Sequence, residues 1–317
     1  MSASFASALT ASRDAAASQH YPTGTLYVVA TPIGNLADIT LRALHVLQLV
    51  DAIACEDTRH TQTLLRAYGI DRTSHQLLAL HQHNEAQAAQ AVIERLHAGQ
   101  RVAYVSDAGT PAISDPGARL VAAVRAAGFA VMPLPGASSI TTALSVAGIT
   151  EGSAHASGFV FAGFLSSKAG ERAAEIAALA TEPRAVVLLE APHRIEALAA
   201  ALAILGERPL TIGRELTKQF EEIATVSARD FPGWLAQEPH RSRGEFALVL
   251  HPAAVPVDAS ADAGLRMLAL LLPELPLKTA VKLAADVTGQ SRNTLYEAAL
   301  AMKKESGVQA AKPDPTW

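Results

Sequence analysis

The apolar positions of the chain come in short runs, and a cluster of small or polar residues follows each run. Runs of four to six residues have the length of buried strands, and the first five are Thr25–Ala30, Ala52–Cys55, Leu77–Leu80, Val102–Val105 and Ala130–Pro135. The segments between them place apolar residues at helical spacing, which predicts amphipathic helices. This alternation predicts a mostly parallel sheet with helices on its faces.

Each predicted strand ends in a turn, and parallel strands end at the same edge of a sheet. The sequence therefore predicts one crevice built from separated segments. The clearest segment runs from Arg101 to Gly117, where the turn Ser106–Pro111 follows a strand. In the helix start that follows, Asp115 is placed to cap free N–H groups and Pro116 to occupy the first helical position.

A Gly- and Ser-containing patch over 150–158 predicts a joint to a second α/β lobe, where the pattern restarts. The predicted strands of that lobe are Phe159–Phe164, Ala185–Glu190, Leu210–Leu216 and Glu245–Leu250. The expected organisation is a disordered tail (1–22), an N-terminal α/β lobe (23–140), a second α/β lobe (141–253), a helical helix-turn-helix-like C-terminal domain (264–304) and a tail (305–317). The Pro/Ala/Asp-rich stretch 253–263 is expected to be a linker.

Composition narrows the class of protein. A single cysteine, Cys55, cannot form an internal disulfide, which favours a reducing, cytosolic setting. The first twenty residues lack the charged start and apolar core of a secretory signal, and no apolar run approaches the roughly 18 residues of a membrane span. A net charge of -4 argues mildly against a protein that coats nucleic acid. Residues 265–304, however, carry an excess of basic side chains.

Several well-known motifs are missing from the sequence. It contains no G-x-G-x-x-G fingerprint, no G-K-[ST] phosphate loop and no H-E-x-x-H zinc motif. Gly136-Ala137-Ser138 begins like a nucleophile elbow, but Ile140 stands where the closing glycine belongs. A nicotinamide enzyme, a P-loop NTPase, a zinc hydrolase and a serine hydrolase are therefore all disfavoured.

Polar residues at the strand ends are candidate site residues, and each has a simpler structural explanation. Glu56–Arg59 could be only a capped helix start with a surface ion pair, and Glu190 with Arg194 only a salt bridge between lobes. Histidines 81 and 83 are more often solvated than metal-bound, so no metal is expected. Helices arranged like the C-terminal pair more often pack within a protein than bind in a DNA groove, so no DNA partner is expected.

Eight segments together carry a resemblance to one family. They read TPIGNLADITLRAL, CEDTRHTQTLL, LHQHNE, VSDAGTPAISDPG, PLPGASS, FAGFL, EAPHR and GRELTKQFEEI. In order and spacing they resemble the ribosomal RNA small subunit methyltransferase I family, the cytidine 2′-O-methyltransferases of bacterial 16S rRNA within the tetrapyrrole methylase superfamily. The match runs from about Thr25 to His251, and the tail resembles the small C-terminal domain of that family.

The resemblance implies a two-lobed class III α/β methyltransferase that binds S-adenosylmethionine in the cleft between its lobes. It also implies a cytoplasmic homodimer that acts on 16S rRNA of the 30S subunit, with no membrane partner. The cofactor would contact Pro32, Ser106, Asp107, Ala108, Gly109, Ile113, Ser114, Ala137 and Ser138. S-adenosylmethionine has no phosphate, so the absent glycine fingerprint agrees with this implication.

Methyl transfer to a ribose hydroxyl requires an oriented acceptor and a group that takes its proton or stabilises the developing negative charge. Candidate proton acceptors are Asp57, Glu190 and His193, and candidate phosphate or alkoxide partners are Arg59, Arg194 and Lys218. Our hypothesis is that Arg59 and Lys218 hold RNA phosphates while Glu190 works near the acceptor hydroxyl. Alternatives are a tetrapyrrole carbon or a protein side chain as acceptor, or a non-catalytic ligand-sensing or RNA-binding module.

Overall fold

The computed structural model describes residues 5–81, 84–114, 117–149, 158–253 and 257–309. They divide into two compact units, one ending at Pro252 and one starting at Ala253. The first unit contains two five-stranded sheets, and the described part of the second contains helices alone. No helix in the described ranges combines the length and the apolar character needed to cross a bilayer.

The N-terminal segment differs from the disordered tail that its Ala- and Ser-rich composition predicts. Residues Ala6–Ala16 form helix α1. The Phe5 ring, just before this helix, meets the Tyr68 ring edge-on at a centroid distance of 5.1 Å, and Leu9 packs against the same core. Two apolar contacts with the first lobe thus order a segment whose local sequence gives little sign of a helix.

The first sheet is entirely parallel, as predicted. Its strands are β1 (Thr25–Val29), β2 (Ala52–Cys55), β3 (Leu77–Ala79), β4 (Val102–Val105) and β5 (Ala130–Leu134), and their spatial order is β3-β2-β4-β1-β5. Its helices are α2 (Leu41–Leu49), α3 (Thr58–Ala67), α4 (Glu85–His97) and α5 (Ala118–Ala126).

Alternate strand residues cover opposite faces of this sheet. Tyr27 and Ile53 pack with α2 and α3, whereas Leu26 and Ala54 pack with α4 and α5. Neighbouring strands β1 and β4 therefore send their following helices, α2 and α5, to opposite faces. A crevice opens between the carboxyl ends of two such strands, and that is where ligands bind in open α/β sheets.

The second sheet is mixed. Its strands are β6 (Phe159–Gly163), β7 (Ala185–Glu190), β8 (Pro209–Arg214), β9 (Glu222–Ser227) and β10 (Phe246–Leu250), in the order β6-β7-β10-β8-β9. Only the β6–β7 pair is parallel. Strand β9 was not predicted from the apolar pattern, and the short β8–β9 connection cannot carry the helix that a parallel pair requires.

The helices of the second sheet include one that the predicted lobe boundary would divide. They are α6 (Ser139–Val146), α7 (Ala169–Leu179), α8 (Ile195–Leu202) and α9 (Phe231–Gln237). Ile140 and Ala143 of α6 pack against Val187 and Ala247 of the second sheet, and Ile33 from the β1 turn joins this cluster. Helix α6 follows the last strand of the first sheet yet covers the second, so the lobes share one apolar cluster.

The described part of the second unit, residues 253 and 257–309, contains three helices: α10 (Val257–Leu271), α11 (Leu277–Thr288) and α12 (Arg292–Gln309). Helix α11 ends at Gly289, whose φ of +70° is left-handed. The linker expected over 253–263 is wrong from Val257 onward, where α10 begins, and the expected C-terminal tail is helical as far as Gln309. The helices bury a small apolar core that includes Leu268, Ala284 and Leu295, and this core explains why α10 forms.

Candidate active site

The turns that follow β1 and β4 are held together by their backbones. Thr31 N donates to Gly109 O at 2.9 Å, Gly109 N donates to Thr31 O at 3.0 Å, and the Thr31 hydroxyl donates to Ser106 O at 3.1 Å. Gly109 has φ of +80°, and a Cβ atom there would lie 3.3 Å from Ile33 Cγ2. The predicted convergence of these two turns is confirmed.

The segments after β2 and β5 join the same edge of the sheet. The Thr110 hydroxyl donates to Ala137 O at 3.0 Å, and Asp57 N donates to Asp107 Oδ1 at 3.3 Å. Four separated segments therefore meet at one place. Asp115 and Pro116 lie outside the described residues, as do positions 82 and 83 after β3.

A cavity of about 130 Å³ lies among these turns, and we call it the turn cavity. Five of the predicted cofactor residues line it: Ala108, Gly109, Ile113, Ser114 and Ser138. The Ile113 side chain is 53% exposed, which leaves apolar surface available for contact. The Ser138 hydroxyl makes no capping hydrogen bond to α6, so it is available to a ligand.

Two other predicted cofactor residues line no described cavity. Ser106 is 1% exposed, and its hydroxyl donates to Ala108 O at 3.2 Å and to Gly109 O at 3.3 Å. The Ala137 carbonyl is occupied by Thr110. These residues fix the shape of the turns.

A second cavity, of about 250 Å³, lies at the carboxyl end of β7, and we call it the strand-end cavity. Phe164, Glu190, Gly213 and Phe246 are among the residues that line it. It shares four wall residues with the turn cavity: Ile33, Ser139, Leu189 and Glu245. The two cavities therefore adjoin, forming a cleft walled by both lobes.

Glu190 and Arg194 form an ion pair within the second lobe, not between the lobes. Arg194 Nε lies 3.2 Å from Glu190 Oε1, which also accepts a hydrogen bond from Ala191 N at 2.9 Å. Arg194 also donates to the Leu165 carbonyl. Glu190 is 2% exposed, and no described residue forms a hydrogen bond with its buried Oε2. His193 is exposed and lines none of the cavities.

Lys218 lies in a third cavity, of about 350 Å³, which we call the lysine cavity. Its Nζ lies 2.9 Å from Glu215 Oε1 and 3.0 Å from Glu245 Oε2. Burial lowers the pKa of Lys218, but the hydrogen bonds to the two carboxylates outweigh this effect and raise it overall. Lys218 therefore stays charged, with part of its charge already neutralised.

The loop that carries Lys218 contacts the first lobe directly. Asn35 N donates to the Thr217 hydroxyl oxygen at 3.1 Å. A Cβ atom at Gly34 would lie 2.4 Å from Lys218 Cγ, so this close approach requires a glycine. Thr217 and Glu215 have φ of +65° and +50°, which is unusual for residues with side chains.

Asp57 caps α3, as the simpler interpretation predicted. Its Oδ1 accepts hydrogen bonds from Arg59 N at 2.7 Å and His60 N at 3.2 Å, and these bonds hold the pKa of Asp57 below its ordinary value. A carboxylate held in this way is a poor proton acceptor. The Arg59 side chain is exposed. Pro32 and Asp107, both predicted cofactor residues, line the neighbouring lysine cavity.

Sequence reasoning missed several residues of the cleft. Glu245 lines all three cavities, and His60 lines the lysine cavity. His60 follows Arg59 in the segment CEDTRHTQTLL, so its position next to a candidate residue could have identified it. Nothing in the sequence distinguished Glu245. Within the described ranges, no group of three or more His, Cys, Asp or Glu side chains is placed to hold a metal.

Comparisons with known proteins agree with this architecture. The family model for tetrapyrrole (corrin/porphyrin) methylases matches residues 25–232, and the model for the RsmI C-terminal HTH domain matches residues 258–303. A protein of Escherichia coli O157:H7 named ribosomal RNA small subunit methyltransferase I is 47% identical over 87% of this chain and 95% of its own length. The protein of the same name from Pseudomonas aeruginosa is 43% identical over 89% and 99%.

Solved structures share the fold at low sequence identity. The cobalamin biosynthetic enzyme cobalt precorrin-4 methyltransferase has a TM-score of 0.53 at 16% identity, covering 75% of this chain and 100% of its own. The uroporphyrin-III-C-methyltransferase of Thermus thermophilus has a TM-score of 0.51 at 21% identity, covering 73% and 96%. These likenesses cover about three quarters of the chain and show that it shares the fold of these enzymes.

Proposed function

The chain belongs to the ribosomal RNA small subunit methyltransferase I family of the tetrapyrrole methylases and is an S-adenosylmethionine-dependent rRNA methyltransferase, and we propose that its acceptor is the 2′-hydroxyl of a cytidine in 16S rRNA. The observation that carries the proposal is the cleft between the two sheets. It lies where the crevice of the first sheet opens, and no phosphate-binding glycine loop lines it.

The residues of the cleft fit S-adenosylmethionine. The strand-end cavity has mostly apolar walls, which suit a flat purine, and Glu190 Oε2 is a buried acceptor that has no partner in the described part of the chain. An amino or hydroxyl group of the ligand would satisfy that oxygen, whose desolvation is otherwise uncompensated. In the turn cavity, Ser114 and Ser138 supply hydroxyls and Gly109 allows close approach of the backbone. We therefore assign Glu190 to the cofactor side of the cleft, away from the acceptor hydroxyl.

The bound cofactor supplies a methyl group on a sulfonium sulfur, already activated for transfer. The protein then contributes mainly by orienting the acceptor and excluding water. The paired turns after β1 and β4 give the cofactor side a fixed shape. We assign Arg59, which is exposed and carries a full positive charge, to an RNA phosphate. Lys218 makes a weaker phosphate contact because Glu215 and Glu245 already hold its ammonium group.

The family resemblance and the family match support three further assignments. We propose that the substrate is the 30S subunit, that the protein works as a homodimer, and that it acts in the cytoplasm, where small-subunit rRNA is found. The second unit, matched by the RsmI C-terminal HTH model, is proposed to add RNA contacts through its basic side chains. Single-stranded RNA is bound through splayed bases and backbone charge, which suits such a surface.

The test is transfer of tritium from methyl-labelled S-adenosylmethionine. We expect incorporation into 30S subunits that lack the modification, and none into free protein or porphyrin acceptors. Subunits already methylated by the enzyme serve as the matched control and should accept no label. Nuclease digestion should place the label on a 2′-O-methylcytidine. Label on a base carbon, on a protein side chain or on a porphyrin would overturn the proposed acceptor.

A further inference from the structure

The lysine cavity contains a histidine that the assignments above do not use. His60 lies in the first turn of α3 and lines this cavity together with the β1 turn, Asp107 and Lys218. The lysine cavity shares Ile33, Ala108 and Glu245 with the turn cavity. A group held in it is therefore next to the proposed cofactor site, as an acceptor nucleotide must be.

Most of the other titratable groups around His60 already have partners. On its own helix, Asp57 caps the backbone, whereas Arg59 is exposed. Across the cavity, Asp107 accepts from Asp57 N, and Lys218 is bound to Glu245.

The His60 side chain itself remains available. The described residues give its ring no hydrogen-bond partner, and the residue is exposed. A neutral imidazole is the side chain best suited to accept a proton near neutral pH. The charged groups around it are three carboxylates, Asp57, Asp107 and Glu245, and two cations, Arg59 and Lys218.

We propose that His60 is the catalytic base that takes the proton of the acceptor hydroxyl; this rests on the proposed function. The ribose 2′-oxygen forms a bond to the methyl carbon while the bond from that carbon to the sulfonium sulfur breaks and its electron pair stays on sulfur. The hydroxyl proton passes to the neutral His60 ring, which becomes an imidazolium and later releases the proton to water. The hydrogen bond from His60 N to Asp57 fixes the first turn of α3, so Asp57 is a positioning residue.

The experiment compares His60→Gln with the wild type in single-turnover methyl transfer to 30S subunits, between pH 5.5 and 8.5. Loss of a general base reduces such a step by roughly 100-fold or more, so we expect a reduction of that size at saturating subunit concentration. The wild-type rate should rise with pH through the titration range of a histidine, and the variant should lack that rise. Affinity for S-adenosylmethionine, measured by calorimetry, should stay within about twofold, because His60 lines neither the strand-end cavity nor the turn cavity.

The matched control is His75→Gln, since His75 is an exposed histidine before β3, at the opposite edge of the sheet. It should keep the wild-type rate and pH profile. A His60→Gln rate within about threefold of wild type, or a lower rate with an unchanged pH profile, would overturn the role. A wild-type enzyme that transfers no methyl group to 30S subunits would instead overturn the proposed function.

Discussion

The two lobes build their halves of the cleft in different ways. The first lobe contributes backbone, because its parallel strands end together and its turns bond to one another at Thr31, Gly109 and Ala137. The second lobe contributes side chains from the ends of its mixed sheet, above all the buried Glu190, which pairs with the half-buried Arg194. The carboxyl ends of β6, β7 and β8 meet at the cleft, whereas β9 and β10 run the opposite way and end at the other edge.

This difference predicts that the two halves of the cleft are sensitive to different kinds of substitution. A backbone site depends on which residue can adopt a given φ, so it is damaged by adding a Cβ atom. A site built from a buried ion pair depends on compensating charge, so it is damaged by removing one partner. Three measurements separate the two kinds of construction.

The largest effect is expected from Arg194→Met in the second lobe. Removing the guanidinium leaves the Glu190 carboxylate buried without its cation, at a cost of roughly 3 kcal/mol in the free energy of unfolding. Urea denaturation measures this cost. Lys168→Met is the control, because the Lys168–Glu171 pair is 76% and 57% exposed and should contribute less than about 0.5 kcal/mol. If the two substitutions lowered the free energy of unfolding equally, the Glu190–Arg194 pair would contribute no more than an exposed pair.

A smaller effect is expected from Gly109→Ala in the first lobe. A left-handed alanine costs about 1–2 kcal/mol, and the new Cβ atom would also press on Ile33. We expect weaker binding of S-adenosylmethionine in calorimetry as well as lower stability. Gly99→Ala is the control, since Gly99 has φ of +75° and nothing within 4 Å of its added Cβ. It should lose similar stability and keep its affinity; a loss of affinity in both variants would argue against a site shaped by the Gly109 turn.

The smallest effect concerns acid stability, to which each lobe contributes one histidine. Burial lowers the pKa of His251 in the second lobe, with help from Arg208, and burial with Arg13 lowers the pKa of His45 in the first. Their folded-state pKa values lie below the unfolded value. The neutral rings therefore support stability fully above about pH 6.5, and this support is lost as the pH falls below it.

We expect His251→Gln and His45→Gln each to reduce the drop in unfolding free energy between pH 7.5 and 5.5. Urea denaturation at the two pH values measures the drop. His75→Gln, which alters an exposed ring, should keep the wild-type drop. If His251→Gln and His45→Gln both kept the wild-type drop in unfolding free energy, neither histidine would resist protonation in the folded protein.

The first lobe was largely predictable because its signals are local. Apolar runs of strand length, helix caps such as Asp57 and small-residue turns such as the one ending at Gly109 each follow from neighbouring residues. Parallel topology then places the turns at one edge without further information. The family resemblance predicted that Ala108, Gly109, Ile113, Ser114 and Ser138 contact the cofactor, and these five residues line one cavity.

The parts that were missed depend on contacts between distant residues. Helix α1 forms where Phe5 and Leu9 meet the core of the first lobe, and an Ala- and Ser-rich segment does not indicate such a contact. Strand β9 depends on pairing with β8. Glu245 is the first residue of a predicted strand, and only the folded chain shows that it borders three cavities. The burial of Glu190 likewise follows from packing around β7.

Helix α6 has a consequence for anyone who wishes to divide this polypeptide. A cut between residues 149 and 158 would leave the N-terminal fragment with the apolar side of α6 bare, and the C-terminal fragment with one surface of its sheet uncovered. Neither fragment could cover its own apolar surface, but each fragment contains the surface that covers the other. The pair is thus a natural design for a split enzyme, in which recovered methyl transfer reports that the two fragments have met.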